Sequence, residues 1–223
     1  MSPTADLTLP YDVRAEVYHL LATLYLAPPD SDTLDALRHP SFIADWPLGR
    51  GHADVEAGLA RLAGALPGAT ATALRPEFWH LFGTLGPAAA PPWQSVYLDR
   101  EQVLMGEETI RVRLLFARFG LTSALTVQQP EDHLSLQLQF LATLATRTAE
   151  RLAAGDQPGA RALLEGQREC LEAHLLRWVG QFVDRAEAAS ETGFYAGLSR
   201  LMLGLLRFDL DEVRQLLAEP SLI

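Results

Sequence analysis

Apolar residues recur at spacings of three and four along most of the chain, which places them on one face of an α-helix. The clearest run lies near the start, at Tyr11, Ala15, Tyr18, Ala22 and Tyr25. No stretch alternates apolar and polar residues with a period of two between hairpin turns, which is the pattern that predicts strands. The sequence therefore predicts an all-α, single-domain helical bundle over residues 1–223, with an ordered core from about residue 10 to residue 210.

Capping residues, prolines and glycines predict where the helices begin and end. After a first helix over residues 11–26, Asp30 or Ser31 is expected to cap a short helix that ends near Leu37. The other predicted helices cover residues 52–66, 74–82, 99–119, 130–155, 156–186, 194–208 and 211–218. Two helix-hostile loops lie between them, at residues 83–92 and 121–129.

The charge balance narrows the choice of partner. The chain carries 18 basic residues, all of them arginine, and 28 acidic residues, for a net charge of −10. Because a protein that binds nucleic acid needs a basic surface, we expect no nucleic-acid partner. A cationic peptide is the kind of ligand that such a chain attracts.

The sequence also carries signals about compartment and redox chemistry. The first ten residues lack the basic and apolar regions of a secretory signal, and no apolar run approaches the ~20 residues that span a bilayer. We therefore expect a cytoplasmic protein without a membrane span. Cys170 is the single cysteine, which excludes an intramolecular disulfide and a CxxC metal site. We expect it to be a passive thiol on a helix.

The common catalytic motifs are missing from the sequence. It has no G-x-G-x-x-G, no G-x-x-x-x-G-K-[ST], no H-E-x-x-H and no G-x-S-x-G. Its histidines show no spacing typical of metal ligands. We expect a protein with no catalytic activity, no metal and no cofactor. The alternative from another functional class is a small metal-dependent hydrolase that uses Glu131, Asp132 and His133.

A polar segment marks the point where the second loop enters a helix. Pro130 suits the first helical position, and the carboxylates of Glu131 and Asp132 suit the positive end of the helix dipole. One interpretation is a well-formed helix start; the other is an acidic spot that binds an arginine side chain. We expect the ring of His133 to lie against the bundle and to organise the loop at residues 121–129.

An aromatic segment precedes the first loop, and a second one follows it. Residues 78–82 read Phe-Trp-His-Leu-Phe, and residues 93–99 read Trp-Gln-Ser-Val-Tyr-Leu-Asp. One helix face cannot hide Phe78, Trp79 and Phe82 together with Leu81, because neighbouring residues lie ~100° apart around the axis. Some of this apolar surface must meet a second element or lie open. Core packing and a hydrophobic docking groove are the two interpretations.

Three blocks of sequence resemble the TorD/DmsD family of redox-enzyme maturation chaperones, relatives of the nitrate reductase assembly chaperones. The first runs from residues 77–83 to residues 95–99 and is similar to the family's "LF…P…Y-x-S-x-Y" region. The second, residues 130–134, is similar to its "E-P-x-D-H" motif. The third runs from residues 174–178 to residues 194–195 and is similar to its "hL…W…f…fY" pattern. No single block is specific, but the three occur in the family's order.

The resemblance implies an all-α cytoplasmic chaperone. Such a protein binds the twin-arginine leader of a molybdopterin-containing oxidoreductase, supports cofactor insertion into the apo-enzyme and proofreads its export through the Tat system. A nitrate reductase-type assembly chaperone, which acts on a cytoplasmic catalytic subunit, is the close alternative. The two loops, at residues 84–92 and 121–129, are also candidate hinges for a domain-swapped homodimer.

The resemblance and the local patterns together predict a set of residues that bind the leader peptide. They are Trp79, Leu81, Phe82, Trp93, Ser95, Tyr97, Asp99, Pro130, Glu131, Asp132 and His133. The sequence departs from the family at Gln129, where glutamate is common, and at Trp93-Gln94-Ser95, where Tyr-Glu-Ser is common. Both departures remove a carboxylate from the expected acidic site.

Overall fold

The computed structural model describes residues 4–83, 87–99, 106–121 and 129–218, with side chains from residue 11 onward. These residues form α1 (Thr4–Leu26), α2 (Ser31–Arg38), α3 (Pro40–Ala44), α4 (Ala53–Ala65), α5 (Ala71–Phe82), α6 (Gln94–Leu98), α7 (Glu107–Arg118), α8 (Leu134–Ala153), α9 (Gln157–Glu169), α10 (Val179–Ala189) and α11 (Phe194–Ala218). No strand occurs in the described ranges, where an isolated bridge joins Trp93 to His133. The predicted all-α class is confirmed.

Two predicted caps are present with the expected geometry. The Asp30 carboxylate accepts a hydrogen bond from the backbone N–H of Thr33 at 2.8 Å and begins α2. The Asp156 carboxylate accepts from the backbone N–H of Gly159 at 2.9 Å and begins α9. Each bond satisfies an N–H group that the first helical turn leaves without an intrahelical partner.

Three predicted boundaries are wrong. Helix α8 begins at Leu134 rather than at Pro130, because the His133 side chain caps it by accepting from the backbone N–H of Ser135. The two predicted helices at the end of the chain form one continuous α11, since no proline or glycine interrupts residues 208–211. The helix predicted from residue 99 begins at Glu107 as α7, and residues 100–105 lie outside the described residues.

The predicted helix over residues 156–186 is also interrupted. Helix α9 ends at Glu169, a π-helical turn covers Cys170–His174, and a 3₁₀ turn covers Leu175–Arg177 before α10 begins. Cys170 therefore lies in helical backbone as expected, and its side chain is fully buried. Burial raises the pKa of the Cys170 thiol, which keeps it protonated and unreactive.

The described chain divides into two compact units. Unit 1 comprises Met1–Thr23, Trp93–Arg177 and Asp209–Ile223, and unit 2 comprises Leu24–Pro92 and Trp178–Phe208. Helices α1 and α11 each contribute residues to both units. The expectation of a single domain over residues 1–223 stays a prediction.

Unit 1 contains a buried ion pair between two distant parts of the sequence. The Arg14 guanidinium pairs with the Asp209 carboxylate, and both side chains are almost fully buried. The hydroxyl of Tyr18 donates to the other Asp209 oxygen at 2.6 Å, and the Arg14 guanidinium lies 5.3 Å from the ring centre of Tyr11. This network joins α1 to the last turns of α11.

Unit 2 has an aromatic core centred on Phe82. Its ring stacks on Phe182 at 5.7 Å and meets Tyr25 and Tyr195 edge-on at 5.5 Å and 5.3 Å. Helix α4 packs closely on α11 at Gly58, where a Cβ atom would lie 2.3 Å from the backbone nitrogen of Leu201. A Cβ atom at Gly204 would likewise lie 2.5 Å from the backbone nitrogen of Val55, so the fold of unit 2 depends on aromatic packing and on close glycine contacts between α4 and α11.

Removal of the Asp209 carboxylate should destabilise the protein strongly. Asp209→Ala leaves the Arg14 charge buried without its partner, and breaking a buried pair in this way costs about 3–5 kcal/mol. The matched control is Asp211→Ala on the same helix, which removes a solvent-exposed carboxylate and should change stability by less than about 0.5 kcal/mol. Urea unfolding followed by circular dichroism measures both. Equal transition midpoints for the two variants would contradict this account of unit 1.

Candidate functional site

The predicted site residues on α5 belong to unit 2 and have different environments. Leu81 and Phe82 lie in its core, while Trp79 is 50% exposed. The 100° step between helix positions explains the split, because it turns Trp79 away from the buried face that carries Phe78, Leu81 and Phe82. Of the four tryptophans in the chain, Trp79 alone is exposed. Of the two outcomes that were expected for this aromatic surface, Trp79 lies open and Phe78, Leu81 and Phe82 pack in the core.

The chain that follows α5 folds back onto the end of that helix. The backbone N–H of Ala89 donates to the carbonyl of His80 at 3.0 Å, and that of Ala90 donates to the carbonyl of Leu81 at 2.8 Å. These bonds satisfy carbonyls that the last helical turn leaves free. They hold residues 89–90 beside the turn that carries Trp79.

The other predicted site residues belong to unit 1, where Asp132 joins three helices. One of its carboxylate oxygens accepts from the backbone N–H of Ser95 in α6 at 2.8 Å, and the other accepts from the hydroxyl of Thr109 in α7 at 2.9 Å. Its backbone carbonyl accepts from the N–H of Gln94 and from the side-chain amide of Gln137 in α8. Asp132 is fully buried, so its carboxylate is occupied inside the fold.

His133 lies beside Asp132 and is buried as predicted. Its ring meets Trp93 edge-on at 5.2 Å, and Nδ1 accepts from the backbone N–H of Ser135 at 3.1 Å. Burial lowers the pKa of His133 to about 3, so the ring is neutral at physiological pH. Residues 122–128, which it was expected to organise, lie outside the described residues.

Glu131 makes a two-pronged ion pair with Arg113 of α7. The distances are 2.6 Å from Nε to Oε1 and 2.9 Å from Nη2 to Oε2. The hydrogen bonds from Arg113 lower the pKa of Glu131. The Arg113 side chain is about half exposed, so this pair lies at the protein surface.

The remaining predicted residues lie at partly exposed positions near these contacts. One Asp99 carboxylate oxygen accepts from the backbone N–H of Glu108 at 3.3 Å and so supports the first turn of α7. Pro130 offers its carbonyl to the N–H of His133 at 3.0 Å. Tyr97 is partly exposed on α6. Unit 1 therefore brings together all of the predicted residues from Trp93 to Asp99 and from Pro130 to His133.

A second group of polar contacts, around Gln94 and Glu108, was not predicted from the sequence. The side-chain amide of Gln94 contacts Oε2 of Glu108 at 2.5 Å and Nδ1 of His174 at 3.2 Å. Glu108 is buried and also pairs with Arg111 at 2.9 Å and Arg177 at 3.1 Å. A glutamate at position 94 would set two carboxylates side by side, so the amide suits this chain. The only signal in the sequence was the departure from the family pattern at Gln94.

Several buried polar atoms of unit 1 have no hydrogen-bond partner among the described residues. Those in α6 and next to it are Trp93 Nε1, Gln94 Oε1, Ser95 Oγ, Asp99 Oδ2 and Gln137 Oε1. A buried polar group without a partner costs about 1–3 kcal/mol. Around α6, the described residues therefore leave a group of buried polar atoms without hydrogen-bond partners.

Within the described ranges, no three or more His, Cys, Asp or Glu side chains are grouped to hold a metal ion. Nor does any helix in the described part of the chain combine the length and apolar character needed to cross a bilayer. The described residues thus form an all-helical protein in which Asp132 joins α6, α7 and α8 and in which Trp79 is exposed on α5.

The chain belongs to the nitrate reductase delta subunit family, whose model matches residues 50–184. It is 30% identical over 188 residues to the Tat proofreading chaperone DmsD of Salmonella typhimurium, covering 81% of this chain and 80% of that protein. It is 32% identical over 145 residues to the chaperone protein TorD of Vibrio cholerae, and the match spans 64% of the length of each. The resemblance to TorD/DmsD maturation chaperones is therefore confirmed.

A solved structure supports the same fold. The crystal structure of a protein from Archaeoglobus fulgidus described as a redox enzyme maturation protein superposes with a TM-score of 0.53. The superposition covers 86% of this chain and 93% of the other at 24% sequence identity, which is a likeness of fold alone. The sequence relatives are chaperones and not enzymes, in agreement with the expectation of a protein without catalytic activity.

Loss of the Asp132 carboxylate should destabilise unit 1. Asp132→Ala leaves the N–H of Ser95 and the hydroxyl of Thr109 buried without acceptors, which should lower the free energy of unfolding by about 2–4 kcal/mol. Glu131→Ala is the matched control, because it removes a neighbouring carboxylate whose surface ion pair contributes about 0–1 kcal/mol. Chemical denaturation measures the difference. Equal losses in the two variants would show that Asp132 does not hold the three helices together.

His133 should make stability depend on pH. Its folded pKa lies below its ordinary value of 6.5, so the unfolded chain binds more protons between pH 6.5 and about pH 3. Its contribution is therefore complete above pH 6.5 and is lost as the pH falls, by roughly 2 kcal/mol between pH 7 and pH 5. His133→Gln should flatten this part of the profile. The difference between the two proteins is the measure, since burial also lowers the pKa of His174. Parallel profiles would contradict the assignment.

Proposed function

We propose that the chain is a cytoplasmic chaperone that binds the twin-arginine leader of a molybdopterin-containing oxidoreductase. It holds the apo-enzyme while the cofactor is inserted and thereby proofreads export through the Tat system. The names of the TorD and DmsD relatives support the chaperone class, and that of DmsD supports the link to Tat. The second candidate is an assembly chaperone for a cytoplasmic nitrate reductase subunit, which the description of the matched family favours.

The observation that carries the proposal is the half-exposed indole of Trp79. Its neighbours Phe78, Leu81 and Phe82 fix the helix by packing in the core, so the indole is presented on a rigid support. A large apolar side chain gains about 1.5–3 kcal/mol when it is fully covered. An apolar segment of a leader peptide that folds as a helix supplies such a cover.

The expected affinity follows from the apolar part of the leader. About five buried side chains at ~2 kcal/mol each gain roughly 10 kcal/mol. Ordering the peptide costs about 2–5 kcal/mol, and association entropy takes more. These magnitudes correspond to micromolar binding or somewhat tighter. We therefore propose that apolar contacts determine the affinity, and that charge determines which residues of the leader align with the site.

The acidic residues of the predicted site have different roles in this proposal. The Asp132 carboxylate is occupied by Ser95 and Thr109, so Asp132 acts as a positioning residue. Glu131 pairs with Arg113 at the surface, and a leader arginine that displaces Arg113 replaces one guanidinium by another. The net charge of −10 attracts a segment that begins with two arginines.

The unpaired polar atoms around α6 support a peptide ligand. The N–H of the Trp93 ring and the Ser95 hydroxyl are donors without acceptors in the described residues, and the Gln137 side-chain oxygen is an acceptor without a donor. A peptide backbone offers both kinds of group at regular spacing. Binding that opens this region would satisfy atoms that the fold leaves unpaired.

The leader-binding proposal is tested with a fluorescent synthetic twin-arginine leader of a molybdopterin-containing oxidoreductase. Trp79→Ala should weaken binding at least tenfold, which is about 1.4 kcal/mol, while thermal unfolding stays cooperative. Phe82→Ala removes a core ring and should cost about 3–5 kcal/mol of stability. The matched control is Leu114→Ala, which removes another exposed apolar side chain and should leave leader affinity unchanged.

Two outcomes separate the proposals. A leader whose twin arginines are replaced by glutamine should bind more weakly if the chain recognises the arginines of a Tat leader. Undiminished affinity for that leader, together with binding to a leaderless catalytic subunit, would favour the assembly chaperone. Unchanged affinity in Trp79→Ala would remove Trp79 from the site. The domain-swapped homodimer stays a prediction, which sedimentation of the same samples measures.

A further inference from the structure

The outer face of α7 carries exposed apolar side chains that the leader proposal does not use. Ile110 is 50% exposed and Leu114 is 61% exposed, and with Trp79 they make up the large exposed apolar side chains of the described residues. Residues four apart share one helix face, so Ile110 and Leu114 form a continuous apolar ridge in unit 1. Ala117 extends the ridge by one turn.

Arginines flank this ridge on both sides. At ~100° per residue, Arg113 lies on one side of the ridge, and Arg111 and Arg118 lie on the other. All three side chains are about half exposed. The helix thus concentrates guanidinium groups on the surface of a chain whose net charge is −10.

Two of the four carboxylates that pair with these arginines are largely buried. Glu108 is buried and pairs with Arg111, and Glu131 is largely buried and pairs with Arg113. Arg118 pairs with the more exposed Glu169, and the exposed Glu107 lies 3.6 Å from Arg111. A guanidinium has five N–H donors, so each arginine keeps outward donors after one pairing. The arginines are held in place by carboxylates and still present positive charge to solvent.

A cleft within unit 1 borders the ridge at Leu114. It has a volume of about 480 Å³ and lies between α7 and the turns that follow α9. Leu114, Leu115 and Ala173 give it apolar walls, and Arg177 lies at its edge. The cleft gives an incoming apolar side chain a place beside the ridge.

We propose that the outer face of α7 docks an amphipathic helix of a partner protein, with carboxylates on both sides of an apolar pair. Charge complementarity selects this occupant, because acidic side chains would meet Arg113 on one side and Arg111 and Arg118 on the other. A symmetric pairing of two copies through this face would oppose arginine to arginine. The leader proposal uses Trp79 and Glu131, so the ridge of Ile110 and Leu114 is separate from it and has only Arg113 as a common neighbour.

The test uses the full chain and two labelled helical peptides of 18 residues. One carries leucines four positions apart with glutamates on both flanks, and the other has arginines in place of the glutamates. The acidic peptide should bind with an affinity that falls as salt is added. The basic peptide resembles a leader, so it should compete with the leader peptide and not with the acidic peptide. Leu114→Glu and Ile110→Glu should each weaken binding of the acidic peptide at least tenfold.

The controls make the result specific to this face. Gln215→Glu adds the same charge at an exposed position of α11 and should leave binding of the acidic peptide unchanged. Leu114→Glu should keep the affinity for the leader peptide, so failure here and failure of the leader proposal are distinguishable. Displacement of the acidic peptide by the basic one, or full binding of the acidic peptide by both ridge variants, would overturn the proposal. A dimer of the native chain that dissociates on Leu114→Glu would overturn it in favour of a self-interface.

Discussion

The junction of α6, α7 and α8 in unit 1 depends on one buried carboxylate, that of Asp132. A carboxylate removed from water needs compensation, and here the compensation comes from neutral donors of α6 and α7 rather than from a cation. Because its backbone carbonyl binds Gln94 and Gln137, the same residue also sets the starts of α6 and α8. The contacts of Trp93 with His133 and the start of α8 follow from this placement. A motif that looks like an exposed acidic spot is therefore an internal junction.

Local rules predicted what depends on neighbours in sequence and missed what depends on distant partners. The caps at Asp30 and Asp156 were predictable because donor and acceptor are three residues apart. The predicted start of α8 was wrong because Pro130 was expected to be the first helical residue. Residues 130–133 instead form a turn that is hydrogen-bonded to α6. The predicted break between residues 208 and 211 was wrong because the helix continues through residues that tertiary contacts bury.

The candidate site shows the same division. Periodicity and the family resemblance predicted that the residues from Trp93 to Asp99 and those from Pro130 to His133 belong to one site. The two segments do meet in unit 1. Periodicity and the resemblance did not reveal that Glu108 lies beside Gln94, because a sequence contains no distances. Nor did they separate Trp79 from Phe82. Both are large aromatic residues of one helix, and their difference in exposure arises from elements that pack on α5.

The Arg14–Asp209 pair has a consequence for the way the protein is made. Tyr18 and its acceptor Asp209 are separated by 191 positions in the sequence, and the ion pair spans nearly the same interval. During synthesis on the ribosome, α1 emerges long before the residue that neutralises its buried arginine. Contacts of such long sequence separation form late and slow folding, because the intervening chain must be closed first. Until translation reaches the middle of α11, the nascent first helix therefore carries an unmatched charge and an uncovered aromatic face.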